Sequence, residues 1–140
     1  MTSSARALPI TVTARNALTT ELRELRAHAD GAEDAAAGAA RRRRIRELER
    51  ALLHAVVEHP GDDGRPRAAV GTVVRTDDGR RFAEHTITLG EDRPGRDGAV
   101  CARSPLGRAL LGRAPGEIVA VERADGRTRH LRVLAVRDAV

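Results

Sequence analysis

The spacing of apolar residues changes near His59-Pro60, and this change limits the architectures open to the chain. Before it, Leu18, Leu22, Leu25 and Ala29 follow steps of 4, 3 and 4, and Ile45, Leu48, Leu52 and Ala55 follow steps of 3, 4 and 3. Each set marks a narrow apolar stripe on one face of a helix, the seam of an antiparallel coiled-coil pair. Thr13 is placed to cap the first helix, Gly31 to stop it, and Pro60 to end the second. The pattern predicts helices over 14–30 and 34–58, folded as a hairpin with its tip near Gly31. A seam this narrow cannot close a core alone. The hairpin therefore either projects from the part that follows or packs on it as a layer, and the residues leave both readings open.

After residue 60 the runs are short and alternate. Gly61-Asp62-Asp63-Gly64-Arg65-Pro66 reads as a polar linker. A strand over Ala69–Thr76, a turn at Asp77-Asp78-Gly79 and a strand over Arg81–Leu89 form a predicted hairpin. The run Ala99–Ala102 follows a loop. Ser104-Pro105 then opens a brief helix that ends near Leu111-Gly112. Glu117–Ala124 and Arg127–Val136, joined at Asp125-Gly126, complete five strands and one short helix. The predicted class is α+β: an N-terminal antiparallel helical hairpin (1–60), a linker (61–67) and a mainly antiparallel sheet with one short helix (68–140).

Composition removes several function classes. Phe82 is the sole aromatic residue, so there are no platforms for stacking bases and no aromatic-lined ligand pocket. Cys101 is the sole cysteine, which excludes an internal disulfide framework and a multi-cysteine zinc site. No apolar run approaches the roughly 20 residues of a membrane span, and Met1–Arg6 leads into no apolar signal segment. A reduced cytoplasm is expected, with no membrane association. All 25 basic residues are arginine, which places the pI near 11.1 on a net charge of only +5. Such total avoidance of lysine reads more as a coding bias than as a functional choice.

Catalytic constellations are missing from the sequence. His28, His54, His59, His85 and His130 form no helical zinc pair, and neither a nucleophile elbow nor a phosphate-binding Walker loop occurs. The chain is expected not to be an enzyme and to have no cofactor of its own. Two charged features stand out. Asp30 and Glu33, three apart at the hairpin tip with Asp34 beside them, carry the hard oxygen ligands that a divalent cation takes, but too few to hold it alone. The same acids also suit a helix N-terminus. Arg41, Arg42, Arg43 and Arg44 put dense positive charge near the tip, suited to phosphate contact or simply to a solvated face partly paired with Glu47 and Glu49.

Val70-Gly71-Thr72-Val73-Val74, then Ser104-Pro105-Leu106-Gly107-Arg108-Ala109-Leu110-Leu111-Gly112, then Pro115-Gly116-Glu117-Ile118-Val119 and Gly126 resemble the C-terminal domain of the Gre family of bacterial transcript-cleavage factors. The likeness covers about 68–137. Leu8-Pro9-Ile10-Thr11-Val12 resembles the opening of the family's coiled coil, and Arg44–Glu49 resembles its second helix.

The resemblance implies an FKBP-like C-terminal fold and RNA polymerase as the partner. It further implies docking at the rim of the polymerase secondary channel through the loop at Arg103, Ser104, Pro105 and Leu106, with the coiled coil entering the channel. Asp30 and Glu33 match the spacing of tip acids that help hold a second Mg2+ in the polymerase active site, where backtracked RNA is hydrolysed. Contact with nascent RNA would be indirect, and the chain is expected to be a monomer.

Three departures bear on activity. The tip lacks the Asn and Tyr of the family motif and has Gly31 between the acids. Arg103 replaces an acidic or amide residue. A first helix over 14–30 would span only about 25 Å, several turns short of the family arm. The sequence thus points to a channel-binding elongation regulator without efficient cleavage. The alternatives are a cleavage-competent factor with a compact arm and a non-transcriptional adaptor. Direct DNA binding is the weakest reading, since no base-reading stripe is present.

Overall fold

Both long helices begin where a side chain accepts a free backbone amide. In the computed structural model, which describes residues 7–28, 34–57, 64–90 and 98–139, Thr11 Oγ1 accepts from the Ala14 amide at 3.1 Å and opens α1 (Val12–Ala27). Asp34 Oδ1 accepts from the Ala37 amide at 2.7 Å and opens α2 (Ala35–His54). The cap of α1 is therefore Thr11 rather than Thr13. The second helix stops at His54, short of 58, because Ala55 turns to extended backbone and the chain continues as a strand.

That strand, β2 (Ala55–Val57), pairs in parallel with β1 (Leu8–Ile10), setting Leu8 against Ala55 and Ile10 against Val57. Runs of three residues are too short to show a period, so neither strand was expected. The pair fastens the base of the helices to the rest of the chain. The Thr11 amide donates to the Val70 carbonyl and the Val70 amide to the Pro9 carbonyl, both at 2.9 Å.

The helices pack on one another. Leu18, Leu22 and Leu25 up α1 and Leu52, Leu48 and Ile45 down α2 offer matching steps of four and three, and Leu22 and Leu48 are buried. Ion pairs Glu21–Arg44, at 2.7 Å, and Arg26–Glu49, at 2.5 Å, link the two helices. Ala14 and Leu18 of α1 and Ala51 of α2 also pack on the main core. Of the two dispositions open to the hairpin, the structure shows its base laid against the domain.

The five-stranded sheet has the order β5 (Ala99–Cys101), β4 (Phe82–Thr88), β3 (Thr72–Asp77), β7 (Thr128–Asp138), β6 (Ile118–Glu122). Turn chemistry builds its hairpins. Asp77 Oδ1 accepts from the Gly79 amide, and Asp78 Oδ1 accepts from those of Arg80 and Arg81, all at 2.8 Å. Asp125 Oδ1 accepts from the Arg127 amide at 2.9 Å between β6 and β7. The sheet is mixed rather than antiparallel, because β5 runs parallel to β4 after the connection through 89–98.

A β-bulge where β3 meets β7 explains the adjacent apolar pair Val133-Leu134. The register skips Leu134 between Arg75 and Thr76, so Leu131, Val133 and Val136 all face the core. Ile87, Leu110, Leu131 and Ile10 are among its fully buried members. The architecture is α+β, with one short helix, α3 (Pro105–Leu110), covering the sheet core. No helix among the described residues is long and apolar enough to cross a membrane.

Candidate functional site

The segment Arg103–Leu106 owes its shape to one capping residue and one glycine. Ser104 Oγ accepts from the Gly107 amide at 3.0 Å and donates to the Cys101 carbonyl at 2.7 Å, so it starts α3 and ties it to β5. Pro105 takes the first helical position, where no amide is required, and is exposed. Gly107 is buried, and a Cβ there would collide with the Cys101 carbonyl oxygen. Glycine in SPLG is thus the condition for α3 to sit against β5 and hold Ser104, Pro105 and Leu106 at the surface.

Arg103, just before the cap, forms an ion pair with Glu47 of α2. Glu47 also pairs with Arg44, which bonds Glu21 of α1 through Nε at 2.7 Å and the Leu89 carbonyl through Nη1 at 2.8 Å. The hydrogen bond that Arg44 donates to Glu21 holds its guanidinium above its ordinary pKa, against the opposing effect of partial burial. This chain of charges joins both helices to the loop that precedes α3. Glu47 is the partner of the arginine run that the spacing of three from Arg44 marks, whereas Glu21, on the other helix, was not expected as one. Glu49, the other expected partner of the arginine run, pairs instead with Arg26.

The arginine run is split by its own helix. Arg44 is turned into the network, Arg43 borders a hollow, Arg41 is half-buried and Arg42 is exposed. The four residues do not form one patch. Asp30 and Glu33 lie outside the described residues.

Two hollows flank the segment. One, of about 820 Å3, lies between α2 and the end of β4, with Arg43, Arg44, Arg46, Glu47, Arg50 and Arg103 among its lining residues. The other, of about 570 Å3, has Ser104, Pro105 and Leu106 on its border and Phe82, His85 and Val121 within its lining. Phe82 is exposed, whereas His85 is buried and shares a hydrogen bond of 3.2 Å between its Nε2 and Thr76 Oγ1. Burial, reinforced by Arg129, lowers the His85 pKa below its ordinary value. The alternation of His85 and Ile87 in β4 with Leu89 just beyond it was the signal that this histidine faces inward. Among the described residues, no three metal-ligating side chains are grouped.

Residues 65–138 match the family model described as transcription elongation factor, GreA/GreB, C-terminal. Transcription elongation factor GreA of Thermomicrobium roseum is 35% identical over 112 residues, covering 75% of this chain and 72% of its own. Its counterpart in Prosthecochloris aestuarii is 31% identical over 128 residues, covering 83% and 78%. A solved prokaryotic elongation factor GreA/GreB from Nitrosomonas europaea is similar with a TM-score of 0.49 and 20% identity, over 93% of this chain and 98% of that one.

Proposed function

The chain belongs to the GreA/GreB family of transcription elongation factors, and on that premise we propose that it binds RNA polymerase at the rim of the secondary channel through Arg103, Ser104, Pro105 and Leu106. Its helical pair is directed into the channel as a short arm, and it regulates elongation without efficiently promoting transcript cleavage. It acts as a monomer in the cytoplasm, with no catalytic group or cofactor of its own.

The observation that carries the non-cleaving reading is the tether at Arg44. This residue bonds the Leu89 carbonyl from the middle of α2, so only Ala35–Arg43 of that helix extends beyond it, about 14 Å at 1.5 Å per residue. So short a helical extension supports the reading of an arm that does not reach a deep site.

A second reading rests on Asp30 and Glu33, whose spacing matches the tip acids of cleavage factors. In that reading they help hold Mg2+ at the polymerase active site, where paired ions stabilise the attacking and leaving oxygens of RNA hydrolysis.

Binding of the purified chain to core RNA polymerase tests the docking surface. Pro105→Asp keeps a good first-turn residue on α3 and is expected to weaken binding by about tenfold or more if Pro105 sits at the centre of the contact. Unchanged affinity would remove this segment from the interface.

A further inference from the structure

The larger hollow has a charge balance that docking through Ser104 leaves unused. Arg43, Arg46 and Arg50 stand three and four residues apart on α2 and so share one face over about 10 Å. All three line the hollow, and among the described residues none of them has a hydrogen-bond or ion-pair partner. Arg44 and Arg103 line it too, and both are engaged by Glu47. Among the described lining residues, five guanidinium groups therefore meet one carboxylate in a concavity of about 820 Å3.

Guanidinium forks match phosphate oxygens in paired, charge-assisted hydrogen bonds. One phosphate would satisfy one or two forks, whereas three unpaired forks spread along two helical turns match a run of linked phosphates. No aromatic side chain lines the hollow, so it has no platform for a base. Recognition falls on the phosphates.

We propose that this hollow binds a short chain of linked phosphates, supplied either as free oligophosphate or as the phosphate tail of a nucleotide. Glu47 sets the affinity from within the site. It engages Arg103 and, together with Glu21, Arg44, and a ligand must compete with it for them. The site is a property of the isolated chain and does not depend on polymerase binding.

Calorimetric titration of the full chain with tripolyphosphate, and separately with a nucleoside triphosphate, tests this assignment. Arg43→Gln, Arg46→Gln and Arg50→Gln combined should lower tripolyphosphate affinity roughly tenfold or more, because several charge-assisted bonds are lost together. Arg123→Gln, Arg127→Gln and Arg132→Gln combined remove the same charge away from the hollow and should change it less than about twofold. Glu47→Gln should bind several times more tightly than the parent, a gain that a damaged fold would not produce. Equal binding of the two ligands identifies phosphate alone as the feature read, and tighter binding of the nucleotide identifies a nucleotide tail. Equal losses in the two triple variants, weaker binding by Glu47→Gln, or tighter binding of a single-stranded RNA of equal charge would overturn the assignment.

Discussion

Glu47, midway along α2, is paired with Arg103, the residue that precedes the capping Ser104 of α3. Two parts of the chain more than fifty residues apart in sequence are joined by one ion pair at the proposed docking loop. Arg103 is largely exposed and Glu47 is not, at 56% and 19% of their side chains. Such a pair contributes little to stability, about 1 kcal/mol or less, but it fixes where the loop stands relative to the helices.

Reversing that pair separates positioning from stability. Glu47→Arg should weaken polymerase binding with a change in unfolding free energy of about 1 kcal/mol or less. Adding Arg103→Glu should not restore the affinity, because Arg103 is itself part of the proposed contact. A double variant that regains the parent affinity would remove Arg103 from the contact and leave it only a positioning role.

Gly107→Ala should be costly despite its small size. The added methyl meets the Cys101 carbonyl oxygen and the Ala102 backbone, neither of which can move aside as a flexible side chain would. Overpacking of this kind costs about 1–3 kcal/mol, read from the midpoint shift in urea unfolding. A neutral outcome would mean that α3 does not sit against β5 as described.

Acid should destabilise the protein through His85. Burial lowers its pKa in the folded state below the ordinary 6.5, so below about pH 6.5 the unfolded chain binds more protons. Stability then falls as pH drops from that value toward the folded pKa, and is flat with respect to this group above it. His85→Gln retains a hydrogen-bonding partner for Thr76 and should flatten the slope of unfolding free energy between pH 7 and pH 5. An unchanged slope would assign the acid sensitivity to other groups.

The elements that were legible in the sequence are those whose signals are local. Ser104-Pro105 marks a helix start because the cap and the first-turn proline act within four residues, and Asp77-Asp78-Gly79 marks a turn for the same reason. Leu22 and Leu48 could be placed on the apolar seams of their helices from spacing alone, and both are buried. The parallel contacts of β1 with β2 and of β5 with β4 were hidden, because they depend on where distant segments meet rather than on any period within them. The bulge at Leu134 likewise shows only as two adjacent apolar residues until the partner strand is in place.

At the candidate site, the proposed docking segment could be named from its resemblance to the family motif, but its link to the helices could not. Glu21, Arg44 and Glu47 look like ordinary solvated helix charges in sequence, and only the fold brings them to Leu89 and Arg103. The arginine run misleads for a related reason. Consecutive residues on a helix point in different directions, so the shared face is built from Arg43, Arg46 and Arg50 instead.

RNA shortening in stalled, backtracked transcription complexes tests the central claim most directly. The chain alone is predicted to produce no shortening, and rising amounts of it are predicted to suppress shortening by an added cleavage-active GreA. Shortening by the chain alone that disappears in Asp30→Ala/Glu33→Ala would contradict the account and establish a cleavage factor that works with a compact arm.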